Sequence, residues 1–198
     1  MRKGKVIKLR CFWLDLTDPE YVRYHDYEWG VPVHVDQLLF EMLILEGFQA
    51  GLSWQCVLHK RKNFKKAFDN FDAKKVALYS EKKVNELMQN TGLIRHKLKI
   101  KSAVKNARVF LEIQKEFTSF DKYIWGWTDG KTIESDGTQT HSELSDRISK
   151  DLKKRGMSFV GSTIIYAYLC AVGIINAHDK TCDFKKHFQK RRENENID

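Results

Sequence analysis

Apolar residues recur at helical spacing along most of this chain, and no segment shows the strict apolar–polar alternation of a half-buried strand. Ile100, Val104, Ala107 and Leu111 are spaced to share one face of a long helix. A second apolar stripe begins at Leu144. Only 2 of the 198 residues are proline, so few positions interrupt a helix. We therefore predict an all-α fold.

Three further helices are predicted in the first part of the chain. The first covers DPEYVRYHDYEWG, with Asp18 or Thr17 as its cap, and the second begins at Asp36, which we expect to cap it. The third extends from about Ser53 through WQCVLHKRKNFKKAF. The turn-rich stretch WGWTDGKTIESDG, residues 125–137, predicts a loop or a small extended element.

The chain is basic, with 35 Lys and Arg against 26 Asp and Glu, a net charge of +9 and a pI of about 9.3. A polyanionic partner such as DNA is one explanation, because binding phosphates releases counterions. Solubility alone is the other. No secretory signal and no run long enough to span a membrane are evident, so we expect a cytoplasmic protein without a membrane partner.

His178 and Cys182 form an H-x3-C pair, which places both side chains on one helix face or in one tight turn. This is half of a tetrahedral zinc site, and Cys11 and His25 are the candidates for the other half. Four protein ligands would close the site and make the zinc structural. The alternative is that Cys and His residues coincide here by chance.

Glu46 continues an apolar helical stripe that also contains Leu39, Met42, Leu43 and Ala50. A carboxyl group on such a face is costly to bury unless it is hydrogen-bonded or has a function. Alternatively, the glycine that follows ends the helix and the carboxylate turns to solvent.

Aromatic residues cluster in the first quarter of the chain. Tyr21 and Tyr24 lie about one helical turn apart and can therefore face the same cavity. Such rings either stack on nucleobases or simply form core. The cluster comprises Trp13, Tyr21, Tyr24, Tyr27, Trp29 and Trp54.

The segment FVGST joins two predicted helices in the manner of a helix-hairpin-helix, a motif whose backbone N–H groups hold DNA phosphates. Only Gly161 of the usual two glycines lies inside the hairpin. Ser162 follows it, and Lys153, Lys154 and Arg155 are the nearby basic residues that we expect to contact DNA.

Taken together, these segments resemble the bacterial type I 3-methyladenine DNA glycosylases of the helix-hairpin-helix superfamily. The matching segments follow the order of the family from Cys11 to about Cys182, and their combination is far more specific than any one of them. Its pieces are RCFW, YHDYEWGVP, LFEMLILEGFQAGLSW, GLIRHKLKI, KKRGMSFVGSTIIYAY and GIINAHDKTC.

The resemblance implies an architecture and a metal. Residues 1–35 and 174–198 would form a terminal lobe around zinc, and residues 36–173 would form a helical domain with the hairpin at about 144–173. The zinc ligands would be Cys11, His25, His178 and Cys182.

The resemblance also implies an activity, hydrolysis of the N-glycosidic bond of 3-methyladenine in double-stranded DNA with release of the free base. Glu46 would hydrogen-bond the adenine edge with help from Tyr24, and Trp54 would stack on the flipped base. Trp13 and Tyr21 would complete the pocket, and a monomer is expected. The turn Gly51–Leu52 would press into the gap left in the duplex.

Two features depart from the usual pattern, and a third residue needs comment. Residues 1–9 precede the family's start, and Phe48 stands where some relatives have a polar residue. Asp179 lies between two ligand positions, so we assign it no catalytic role. Two other interpretations stay open: a DNA-damage-binding module without enzymatic activity, and a zinc hydrolase, which would need an open metal position.

Overall fold

The computed structural model describes residues 8–185, and this part of the chain is mostly helical. The N-terminal basic extension lies outside the described residues up to position 7, as does the charged tail from position 186. The helices are α1 Pro19–Tyr27, α2 Asp36–Gln49, α3 Trp54–Leu58, α4 Arg61–Ala67, α5 Ala73–Val76, α6 Glu81–Gln89, α7 Lys97–Phe117, α8 Phe120–Gly126, α9 Glu143–Lys154 and α10 Ser162–Ala171, with a 3-10 turn at Asp69–Phe71.

The central element is α2, which packs against α3, α7, α8 and α10. Ten consecutive residues, from Leu39 to Phe48, are buried. A helix that is covered on all sides has no polar face, so even its glutamates lie inside the protein. This answers the question that spacing left open: Glu46 does not turn to solvent, because α2 continues through Gly47 and ends at Gln49.

Two groups of helices extend from α2, one through α7 and one through α10. The long helix α7 contacts α5, α6 and α8, and its buried face includes Ile100, Val104 and Ala107, as predicted. Helices α9 and α10 pack against each other and are joined by residues 155–161. This pair occupies the position of the predicted hairpin, while the proposed division into a terminal lobe and a helical domain stays a prediction.

Some predicted boundaries were wrong. The helix α2 begins at Asp36 as predicted, but Asp36 does not cap it: its carboxylate accepts hydrogen bonds from the backbone N–H groups of Phe120 and Asp121, in the first turn of α8. The helix predicted from Ser53 is divided into α3 and α4 at residues 59–60. Trp125 belongs to α8 rather than to a loop, because its indole donates to Val33 O and is buried.

Two short strands, β1 Ile133–Glu134 and β2 Ile175–Asn176, pair in parallel. The strand β1 is the small extended element that the 125–137 stretch predicts, whereas β2 was not predicted, because two residues are too few to produce a strand pattern in the sequence. The pairing connects the 125–137 stretch to the segment before His178. Nearby, Leu9 and Asp183 exchange two hydrogen bonds, so the N- and C-terminal segments lie side by side.

Within residues 8–185 no helix is both long and apolar enough to cross a membrane.

Candidate functional site

The four predicted metal ligands lie together. The ligand atoms of Cys11, His25, His178 and Cys182 are all within 4.8 Å of one another, and all four residues are buried. Cys11 precedes α1, His25 lies on α1, and the other two follow β2. The cluster links the N- and C-terminal segments and can bind a metal ion.

Hydrogen bonds fix both imidazole rings in this cluster. His25 Nδ1 lies 2.9 Å from Asp26 Oδ1, and Asp26 also accepts from the Arg10 guanidinium. His178 Nδ1 lies 3.0 Å from Asn176 Oδ1. A carboxylate or amide oxygen can only accept, so Nδ1 of each ring carries the proton and Nε2 is the ligand atom.

The protonation states suit a metal site. Burial lowers the pKa of His178 to about 3, so this ring is neutral at pH 7. A hydrogen bond from the Cys11 thiol lowers the pKa of Cys182 below its ordinary value and favours its thiolate. Neutral imidazole and thiolate are the forms that coordinate metals. Four donors of these types fit a closed tetrahedral site.

Aromatic rings separate the metal cluster from a cavity. The Trp29 ring lies 4.5 Å from that of His178 and 4.9 Å from that of Trp13, between centroids. Trp13 also contacts the His25 ring at 5.5 Å. Gly30 permits this packing, because a Cβ there would lie 2.8 Å from His178 Cε1. One wall of the cavity therefore rests directly on the metal ligands.

The cavity has a volume of about 210 Å³ and lies between α1, α2, α3 and α10. It contains the five residues that the sequence predicts for the base pocket, Trp13, Tyr21, Tyr24, Glu46 and Trp54. The rings of Tyr24 and Trp54 lie 5.3 Å apart and are tilted by 42°. The space is small, aromatic and suited to a flat ligand such as a nucleobase.

Glu46 is the polar centre of this cavity. It is 3% exposed, and its Oε2 atom has no hydrogen-bond partner in the described part of the chain. Burial raises its pKa to about 8. The indole Nε1 of Trp54 is also buried without a partner among residues 8–185. Buried polar groups are normally paired, so these two atoms indicate where a ligand binds.

The two tyrosines beside Glu46 stay neutral at physiological pH. Burial raises the pKa of Tyr21 to about 12, and the Glu46 carboxyl adds to the shift. For Tyr24, burial and then Glu46 raise the pKa well above its ordinary value. Both phenols can therefore donate a hydrogen bond.

Several residues that line the cavity were not predicted from the sequence. Gln49 lies one turn after Glu46 on α2, a spacing that could have indicated it. Tyr166 and Cys170, four apart on α10, carry a similar signal. Gln139 reaches the cavity from the loop after β1, and no pattern in the sequence predicts that.

Phe48 and Asp179, the two residues singled out beside the predicted site, are absent from the cavity lining. Phe48 is fully buried against the rings of Phe64 and Phe68, so it does not change the polarity of the cavity. Asp179 accepts a hydrogen bond from the backbone N–H of Phe12 at 2.7 Å, and its own N–H donates to Cys11 Sγ. These contacts give Asp179 a part in holding the N-terminal segment.

The residues expected to contact DNA lie on two separate turns. Gly51, with φ of +79°, follows α2, and Leu52 beside it is 42% exposed. Gly161 precedes α10, and Ser162 Oγ bonds to Asp146 and Ser145.

The three basic residues near the hairpin differ in their availability. Lys153 and Lys154 are exposed. Arg155 is already paired with Glu116 and Asp151, and its guanidinium lies over the ring of Tyr123.

A basic helical protein with a helical hairpin and an aromatic cavity around an unpartnered carboxyl has the features of a DNA glycosylase that binds an extruded base. Comparison with known proteins agrees. The methyladenine glycosylase family matches residues 13–186. The chain is 43% identical to DNA-3-methyladenine glycosylase 1 of Escherichia coli K12 over 178 residues, which is 87% of this chain and 95% of that protein.

Solved structures give the same result. A crystal structure of 3-methyladenine DNA glycosylase I superposes with a TM-score of 0.85 at 43% identity, covering 88% of this chain and 98% of that one. A Staphylococcus aureus structure described as the structural basis of 3-methyladenine recognition has a TM-score of 0.83 at 34% identity, covering 85% and 92%. The chain therefore belongs to the methyladenine glycosylase family. The predicted fold class and the predicted enzyme class, a DNA glycosylase of base-excision repair, are confirmed with it.

The raised pKa of Glu46 predicts how stability depends on pH. The pKa is about 8 in the folded protein against 4.5 for an ordinary glutamate, so ionisation above pH 4.5 favours the unfolded chain. Glu46→Gln removes this titration. The free energy of unfolding of the variant minus that of the wild type should therefore rise between pH 4.5 and 8 and then level off. Within that range the difference in unfolding free energy should increase by up to about 1.4 kcal/mol per pH unit.

Urea unfolding of both proteins from pH 5 to pH 9 measures this difference, and titrations common to the two chains cancel. A difference that stays constant over the range would contradict a buried, uncompensated Glu46.

Proposed function

We propose that this protein binds double-stranded DNA containing 3-methyladenine, extrudes the damaged nucleotide into the aromatic cavity and hydrolyses its N-glycosidic bond, releasing free 3-methyladenine. The observation that carries the proposal is the Oε2 atom of Glu46, which lies among the rings of the cavity with no hydrogen-bond partner within residues 8–185. The S. aureus relative, whose structure is described in terms of 3-methyladenine recognition, supports the choice of base.

The chemistry of the damaged base explains why an aromatic cavity with one carboxyl group is sufficient for its excision. Methylation at N3 places a positive charge on adenine and weakens its bond to the sugar, so the base needs little acid assistance to leave. Aromatic faces and a carboxylate both favour a cation over the neutral undamaged base. When the cationic base enters, its charge favours the ionised form of Glu46 and so lowers the pKa of about 8 that burial imposes.

Each cavity residue has a proposed role. The Glu46 carboxylate accepts a hydrogen bond from the exocyclic amine of adenine, and the neutral Tyr24 phenol donates to the base. Trp54 stacks on the purine, while Trp13 and Tyr21 complete the wall.

DNA is held by two elements in this proposal. Backbone N–H groups at Gly161 and Ser162 bind phosphate at the start of α10, and Lys153 and Lys154 add positive charge. The turn Gly51–Leu52 presses into the gap that the extruded nucleotide leaves, with Leu52 as the exposed apolar side chain. We leave Arg155 out of this surface, because its charge is paired within the protein.

We further propose that the metal is zinc and that its role is structural. Two cysteines and two histidines are a donor set that zinc prefers, and four protein ligands leave no position for water or substrate. This closed coordination argues against a zinc hydrolase. A bound zinc would stabilise the wall formed by Trp13 and Trp29, and no step of the hydrolysis would involve it.

Metal analysis of freshly purified protein should find one zinc per chain. Cys182→Ala should lose the metal and lower the midpoint of thermal unfolding, because zinc binding contributes to folding. Cys56→Ala is the matched control, a half-buried thiol outside the cluster, and should retain the zinc. Wild-type protein without zinc would refute the assignment.

Glu46 should make the enzyme selective for 3-methyladenine over 7-methylguanine. Guanine presents a carbonyl oxygen where adenine has its amine, and this oxygen repels an ionised carboxylate. Glu46→Gln keeps the shape but removes the charge, so we expect it to weaken transition-state stabilisation for 3-methyladenine by about 1–3 kcal/mol.

Single-turnover excision of both bases from methylated DNA by wild type and Glu46→Gln tests this. Glu41→Gln is the control, since Glu41 is buried on the same helix but pairs with Arg61 and Lys65 away from the cavity lining. It should lose stability without losing selectivity. Equal wild-type rates for the two bases would overturn the specificity account, and binding without any base release would favour a non-enzymatic damage-binding protein.

A further inference from the structure

Lys99 is a buried lysine in the GLIRHKLKI segment. The mechanism proposed above assigns no role to it. It lies on the first turn of α7 and is only 5% exposed. Its ammonium group donates to two backbone carbonyl oxygens, Phe48 O at 2.9 Å and Ala50 O at 2.5 Å. Within residues 8–185 it forms no ion pair with a carboxylate. Burying a charge in this way is costly, and burial lowers the pKa of Lys99.

The two carbonyls explain what stabilises this charge. Both lie at the C-terminal end of α2, where the last carbonyls of a helix lack intrahelical partners and the helix dipole is negative. The last turn of α2 contains no basic residue of its own. Lys99 therefore supplies from α7 the cation that the end of α2 needs.

The position of these carbonyls connects Lys99 to function. Phe48 and Ala50 flank Gln49, which lines the cavity, and Ala50 leads directly into Gly51–Leu52. Leu52 N donates back to Gln49 O at 2.7 Å, which makes the turn tight. Lys99 thus holds the last residues before the turn that is proposed to enter the duplex.

The same face of α7 also holds the hairpin. Asn106 lies seven residues after Lys99, two helical turns along α7, and its side chain exchanges two hydrogen bonds with the backbone of Ser158. Ser158 belongs to the 155–161 connection between α9 and α10. One helix therefore anchors both elements proposed to contact DNA, at positions about 10 Å apart along its axis.

We propose that Lys99 is a positioning residue: it fixes the turn after α2 relative to the hairpin, so that the surface that engages the duplex is formed before DNA binds. The proposal rests on the proposed function, because it needs the turn Gly51–Leu52 to contact DNA. Lys99 itself does not line the cavity, so the free base should bind without it.

The test compares wild type with Lys99→Met, Lys99→Arg and Arg108→Met. Arg108 is the control: it is another cationic residue of α7, more exposed than Lys99, and it donates to Ala77 O at the C-terminal end of α5, not at the end of α2. Three quantities are measured for each protein: single-turnover excision of 3-methyladenine from a duplex over a range of enzyme concentrations, binding of free 3-methyladenine by tryptophan fluorescence, and urea unfolding.

Lys99→Met should raise the enzyme concentration for half-maximal excision about tenfold and lower the maximal rate, while affinity for the free base stays within about twofold. Lys99→Arg should recover most of the excision, because its guanidinium can still donate to both carbonyls. Arg108→Met should lose stability but keep excision within about twofold. If Lys99→Met does not fold, Lys99→Gln, which can donate to one carbonyl, replaces it in the same comparison.

Three results would overturn the proposal. One is wild-type excision by Lys99→Met. Another is a loss of free-base binding as large as the loss of duplex excision. The third is an equal excision defect in Arg108→Met, which would indicate a general effect of stability. A wild-type protein that releases no base would instead refute the proposed function, so the two failures can be distinguished.

Discussion

The burial of one carboxyl group, that of Glu46, organises the rest of this protein. Glu46 can be unpartnered and nearly inaccessible only because α2 is covered on all sides by α3, α7, α8 and α10. An unpaired buried carboxyl is destabilising, and its pKa of about 8 reflects that cost. A cationic purine removes the penalty, since it supplies both a positive charge and a donor. In the proposed function, the cavity is therefore complementary to the damaged base and less so to neutral adenine.

The other walls of the cavity depend on contacts far apart in sequence. Trp13 and Trp29 pack on the rings of His25 and His178, so the position of the aromatic wall depends on the metal cluster. The pairing of β1 with β2 brings the loop that bears Gln139 to the cavity. The metal cluster joins the N- and C-terminal segments and also supports the aromatic wall, so the shape of the cavity depends on both.

The sequence predicted much of this site, for identifiable reasons. The H-x3-C pair indicated half of the metal cluster and left Cys11 and His25 as candidates for the other half, and the resemblance to a known family then implied all four ligands. Helical spacing placed Glu46 on an apolar face but could not decide whether α2 continued past the glycine that follows. Only the packing of other helices around α2 decides that. Gln139 and Lys99 could not be recognised, because their roles depend on contacts between distant segments. The hydrogen bonds of the Asp36 carboxylate to α8 could not be foreseen for the same reason.

The central claim is that ionised Glu46 selects the cationic base, and the pH dependence of kcat/KM for 3-methyladenine excision tests it most directly. The substrate keeps its positive charge over this range, and the pKa values of Tyr21 and Tyr24 lie above it. Because kcat/KM reports the free enzyme, it should rise about tenfold per pH unit from pH 6 towards the pKa of about 8 and then level off. Glu46→Gln should show a lower, flat profile. A wild-type profile that is flat from pH 6 to 9, or a variant that follows the same rise, would contradict the account.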